Sequence, residues 1–169
     1  MKNIVVALIA LVSLAVIPSC KKGENDPFIS LRSRDARITG KWKIVNFEEI
    51  SNFNGSIHSS ILNGSILTET SNGSSSSYSY SAYWEILADG IFKYTSNIDG
   101  ELSNGSGNWY WLNDTKKKTK IFINDEEIFV VDRLTNNELI LKYQYGESDL
   151  YNGSNNVSSY ALTITLEKE

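Results

Sequence analysis

Seven of the eleven glycines in this 169-residue chain directly follow Asn or Asp. Asn-Gly stands at 54–55, 63–64, 72–73, 104–105 and 152–153, and Asp-Gly at 89–90 and 99–100. Both dipeptides favour the type I′ turn, which requires positive φ at its two central residues and matches the twist of paired strands. Between them lie runs rich in Tyr, Trp, Ile, Val, Thr and Ser, side chains that suit a pleated surface. After Gly40 no segment sustains a helical period. A chain punctuated in this way is constrained to hairpins, and the expected class is all-β.

Eight strands are predicted, at 41–50, 78–88, 91–98, 106–113, 119–124, 127–134, 138–145 and 157–167. Tyr80, Ala82, Trp84 and Ile86 alternate on the second; Leu139, Leu141, Tyr143 and Tyr145 share a face of the seventh. Short connections pair neighbours antiparallel, as an up-and-down meander. Closing eight such strands into a barrel removes the exposed edges. Residues 51–77 read as an irregular insertion in which Asn-Gly-Ser recurs every nine residues. A small extra hairpin is expected there, with Ser74–Ser77 as a mobile loop. A short helix is expected over 27–38, with Asp26 at its N-cap, Pro27 at its first position and Gly40 ending it. Arg32, Arg34 and Arg37 are expected to point outward from it.

The first twenty residues carry a different message. Lys2 precedes an apolar run from Ile4 to Ile17 broken only by Ser13, and the chain turns polar directly after Cys20. This is the layout of a secretory signal peptide, and it falls short of the about 20 apolar residues that span a bilayer. Ile17-Pro18-Ser19-Cys20 resembles the lipobox of bacterial lipoproteins. That resemblance implies cleavage after residue 19, lipidation of Cys20, and a tether over 20–26 leading into a single domain, 27–169. The implied location is the envelope of a Gram-negative bacterium. Lys21 lacks the acidic retention signal for the inner membrane, which favours the outer one. Cleavage leaves 15 basic and 20 acidic side chains. Such a balance offers no footprint for nucleic acid and no polybasic attraction to lipid. Membrane attachment is thus expected to come from acyl chains on Cys20. Cys20 is also the only cysteine, so neither a disulfide nor thiol chemistry is available to the fold.

Four short motifs add a second resemblance. Gly40-Lys41-Trp42 opens the first strand after the helix. Asp89-Gly90-Ile91-Phe92 joins an early hairpin, Gly107-Asn108-Trp109 opens a central strand, and Phe129–Leu139 crosses a late turn. Their order resembles the bacterial lipocalin-like lipoproteins, small lipid-anchored barrels, over about 40–167. The resemblance implies a closed barrel with an apolar interior. It also implies an arginine over the first-strand tryptophan, a part given to Arg133.

An eight-stranded barrel is just wide enough to be filled by side chains or to hold one small ligand. Trp42 reads as structural core. Trp84, Tyr94, Trp109, Trp111 and Tyr143 are the candidate walls of a ligand cavity, and they read equally well as side chains that fill the barrel. Tyr78, Tyr80, Tyr83, Tyr110, Tyr145 and Tyr151 suit either a recognition surface or an ordinary half-exposed sheet. Catalysis finds no constellation. His58 is the only histidine and stands without an evident partner, and no serine has a base beside it. Asp125-Glu126-Glu127 does not follow a calcium-loop pattern. No metal and no cofactor is expected. The chain therefore reads as a non-enzymatic, lipid-anchored barrel that binds a small apolar or amphipathic ligand. The alternative is a filled barrel acting as an accessory module that contacts an envelope protein or a glycan.

Overall fold

A computed structural model describes residue 26 and residues 32–112, 118–124, 127–145 and 158–169. The chain is all-β after one five-residue helix, α1 (Arg34–Ile38). Ten strands follow: β1 (Gly40–Phe53), β2 (Ser56–Asn63), β3 (Ile66–Ser71), β4 (Ser74–Ile86), β5 (Ile91–Ile98), β6 (Glu101–Trp111), β7 (Lys120–Ile123), β8 (Glu127–Leu134), β9 (Glu138–Tyr145) and β10 (Ser158–Lys168). Each pairs antiparallel with its sequence neighbour, and β1 pairs with β10 to close the ring. The expected up-and-down meander is present, but its ring has ten strands rather than eight.

The two additional strands come from the stretch read as irregular. Residues 51–77 extend β1, form β2 and β3, and begin β4. Ser74–Ser77 is strand, not loop, paired to β3 in continuous register from Ser71↔Ser74 to Ile66↔Ser79. The nine-residue repeat marks successive hairpin turns. Asn54-Gly55, Asn72-Gly73 and Asp99-Gly100 all hold positive φ at both positions, the requirement of the type I′ turn. Asn63-Gly64 and Asp89-Gly90 hold it only at the glycine, and Asn104-Gly105 lies inside β6. Gly105 is required there for a packing reason, because a Cβ would meet the Tyr94 ring at 2.5 Å.

The extra hairpin splits the ring into two levels. Near the start of β1, Gly40–Lys43 pairs directly with Tyr83–Ile86 of β4, placing Trp42 opposite Trp84. Beyond that level β1 and β4 separate, and β2–β3 fills the fork. The turn between those strands is fixed there by the Tyr80 N–H, which donates to the Ser65 carbonyl at 2.8 Å. The wall thus closes in two ways, through eight strands by the direct β1–β4 pairing and through all ten by way of β2–β3.

The narrow level holds the core. Trp42, Ile44, Ile86, Phe92, Trp109, Ile121, Ile123, Phe129, Val131, Leu139, Leu141, Ile164 and Leu166 are all buried. A bulge between Ile44 and Asn46 shifts the alternation of β1 by one residue, so that Phe47, Glu49 and Ser51 continue the inward face begun by Trp42 and Ile44.

α1 caps this end, and its charges correct the expected picture. Its N-cap is Ser33, whose hydroxyl accepts from the Ala36 N–H at 3.1 Å. Residues 27–31, the first part of the expected helix, lie outside the described residues. Arg34 and Arg37 do not face solvent; they are 4% and 1% exposed. The fully buried Asp26 carboxylate faces Arg34 at 3.1 Å and Arg37 at 3.4 Å. Its other oxygen accepts the Leu134 N–H at 2.7 Å. Burial lowers the Arg34 pKa from its ordinary value, Asp26 opposes that shift and Arg37 adds to it. Two guanidiniums around one carboxylate give the helix a tertiary reason to turn them inward, since a buried charge must be paired.

Candidate functional site

The tryptophans do not share one chamber. Trp42 is fully buried, and its indole N–H donates to the Ile38 carbonyl at 2.7 Å. The cation over its ring is Lys168, 4.8 Å from the centroid, and not Arg133, which pairs with Glu138 at 2.7 Å on the surface. Lys168 also donates to the Arg37 and Thr39 carbonyls at 2.9 and 2.7 Å, tying the last strand to the helix C-terminus.

Trp109 and Trp111 also belong to the capped end. They meet edge to face at 6.0 Å. The Trp109 N–H donates to the Leu87 carbonyl at 2.7 Å. The Trp111 N–H donates to the Asp35 carboxylate at 2.6 Å. Arg34 and Lys118 stand 5.7 and 5.9 Å from the Trp111 centroid. Burial works to raise the Asp35 pKa, but the hydrogen bonds from Lys118 and Trp111 outweigh it and hold Asp35 below its ordinary value. Both indoles thus have their polar atoms satisfied by the scaffold that seals this end.

Trp84, Tyr94 and Tyr143 come together in another way. Trp84 packs edge to face against Phe92 at 5.1 Å and Phe129 at 6.3 Å. Phe92 stacks on Tyr94 at 6.3 Å, and Phe129 leads to Tyr143 at 6.1 Å and then to Tyr160 at 5.6 Å. This chain of rings crosses the interior from the packed level toward the open one. Edge-to-face contacts of this kind suit the ring quadrupoles and fix the rings in place.

Above those rings the interior changes character in three registered rows across β1–β4. The first is Phe47–Leu62–Leu67–Tyr78, with Leu62 and Leu67 buried. The second is Glu49–Ser60–Glu69–Ser76, and the third Ser51–His58–Ser71–Ser74. Alternation places all three on the face that carries Leu62 and Leu67. Exposure rises along the series, and His58, Glu69, Ser74 and Ser76 are exposed. These side chains share the face of the core and yet meet solvent, where β4 before Tyr80 pairs with β3 alone.

Glu49 is the most informative group of this collar. Burial raises its pKa from the ordinary value; a hydrogen bond from Tyr160 opposes the shift, and the Glu69 carboxylate adds to it. Its acid is therefore held between an apolar floor, a phenol and a second acid. Tyr80, half-buried on the same inward face, has its own pKa raised by burial.

Sequence reasoning placed none of Glu49, Glu69 and Tyr160 in a site. The available signal was the period-two spacing of Glu49 and Ser51, and of His58, Ser60 and Leu62. His58, within the stretch expected to be irregular, lies in β2. Among the described residues no three His, Cys, Asp or Glu side chains are grouped to hold a metal ion. Nor, among them, is any helix long and apolar enough to cross a membrane. Tyr151 and the Asp125-Glu126 turn lie outside the described residues. Comparison with models of protein families, with curated proteins and with solved structures finds no match to the chain.

Proposed function

We propose that the chain is a lipid-anchored envelope protein of the lipocalin-like kind, which binds a small amphipathic molecule at the wide end of its ring. The carrying observation is the water-reached inner face formed by the Glu49 and Ser51 rows. Side chains that share the inner face of the wall and yet meet solvent offer a surface that a ligand can reach. Pockets for small molecules combine apolar walls with a few placed polar groups. Here Phe47, Leu62, Leu67, Tyr80 and Tyr143 supply the walls, and Glu49, Glu69 and Tyr160 the polar groups. Two carboxylates favour a head group that donates hydrogen bonds or carries positive charge, because an anionic head would face like charge.

The rings at the narrow level act as floor and scaffold on this reading, and Trp109 and Trp111 are structural. No catalytic role is assigned. The test is equilibrium binding of dodecylamine, dodecanol and dodecanoate to the purified chain, each below its micelle threshold. Saturable binding is expected, strongest for the amine and weakened about tenfold for it by Glu49→Gln. Absence of saturable binding by all three, with the protein folded, would overturn the proposal in favour of a filled accessory module.

A further inference from the structure

We propose that the chain stands end-on on an anionic membrane, with the α1-capped end toward the bilayer and the wide opening away from it, so that ligand enters from the aqueous side. This rests on the reading of Cys20 as the lipid anchor. Two independent features of the fold carry it.

The first is where the tether is held. Asp26 is six residues beyond Cys20 and is pinned to the capped end by Leu134, Arg34 and Arg37. Six residues reach about 20 Å when extended. β1 has 14 residues, and at a rise of about 3.3 Å and a tilt of about 40° such a strand covers about 35 Å along the ring axis. A tether held at the capped end and shorter than the ring is tall keeps that end near the bilayer.

The second feature is charge. At the capped end Arg34 and Arg37 are buried against Asp26, and the outer cations Arg32, Lys41, Lys43 and Lys118 are close to balanced by Asp35, Glu85, Glu138, Glu167 and Glu169. Residues 44–79, which build the widened half, contain Glu48, Glu49 and Glu69 and no Lys or Arg. An anionic headgroup layer therefore repels the widened end more than the capped one, within the roughly 10 Å over which such fields act. A side-on placement on the exposed Ile50, Ile57, Ile61 and Ile66 would instead bring Glu48 against the lipid.

The experiment uses the full lipidated chain in phosphatidylglycerol-containing vesicles doped with a headgroup nitroxide lipid. A fluorophore is placed on Asn136→Cys, at the exposed turn of the capped end, or on Leu102→Cys, 72% exposed at the other end. Mass measurement establishes acylation of Cys20 first. Quenching at 136 is expected to exceed that at 102 several-fold. The difference should shrink when ten Gly/Ser residues are inserted between Lys22 and Gly23, a change that leaves the folded ring untouched. Equal quenching at both positions of an acylated chain, or stronger quenching at 102, would overturn the orientation and leave the anchor standing. A chain without acyl groups on Cys20 would overturn the anchor reading and the orientation with it.

Discussion

The two ends of the ring use the same alternating strands for opposite purposes. At the α1 end, eight strands close on an apolar interior: carbonyls accept from the Trp42 and Trp109 indoles, and Asp26 meets two guanidiniums and a backbone N–H, while Arg34 Nε and Arg37 Nε stay buried without a hydrogen-bond partner. At the other end, two inserted strands widen the ring, and the inward face carries Ser, Glu and His where water reaches them. Buried apolar side chains are concentrated in the first region, and inward polar ones that meet solvent in the second. The contrast shows how a meander extends its wall without losing its core, by adding a hairpin that pairs with only part of each neighbouring strand.

Substitutions should separate the two ends by size of effect. Trp42→Ala deletes the largest fully buried side chain together with its bond to the Ile38 carbonyl, and is expected to cost about 3–5 kcal/mol in a urea titration. An unchanged midpoint would remove the narrow level as the seat of stability. Asp26→Ala leaves Arg34 and Arg37 buried without their carboxylate and the Leu134 N–H without its acceptor. A loss of about 3–4 kcal/mol is expected, together with faster hydrogen exchange of the Leu134 amide. Retained exchange protection would show that the cluster does not fasten the cap.

Between the two ends, Gly105→Ala forces the Tyr94 ring from its seat and should cost about 1–3 kcal/mol, with a changed near-ultraviolet circular dichroism signal. An unaltered signal would show that the ring can yield freely.

The smallest effect belongs to the open end. Unfolded, Glu49 ionises near its ordinary value of 4.5; folded, it ionises at higher pH. Its ionisation therefore penalises the folded state. The wild type loses stability as pH rises from the unfolded value through the folded one, and the Glu49→Gln variant does not. That variant is expected to exceed wild type at pH 7 by about 0.5 kcal/mol or less, after allowance for solvent screening, and to match it at about pH 3. A variant less stable than wild type at pH 7 would mean that the carboxylate is a structural support.

Much of this arrangement was legible in the residues. The I′ turns at 54, 72 and 99, the closing of the meander and the burial of Trp42 follow from dipeptide chemistry and alternation. The widened half was not, because its pattern is inverted. On β2 the large apolar residues Ile57 and Ile61 face outward at 57% and 45% exposure, while Ser60 and His58 face inward. Alternation read with the usual sign therefore hides the strand. The buried arginines were missed for a different reason. Their inward direction depends on Asp26, eight and eleven residues away in sequence, and on the end of β8. Lys168, more than a hundred residues from Trp42, shields that ring through the same long-range closure, although Arg133 is the nearer cation in sequence.

The most direct test of the division between a sealed end and a binding end is a chemical-shift map of the chain titrated with dodecylamine. Perturbations are predicted at Glu49, Ser60, Glu69, Tyr143 and Tyr160, with the indole N–H signals of Trp42, Trp109 and Trp111 unmoved. Saturable shifts centred on those three indoles, with the Glu49 row silent, would contradict the account.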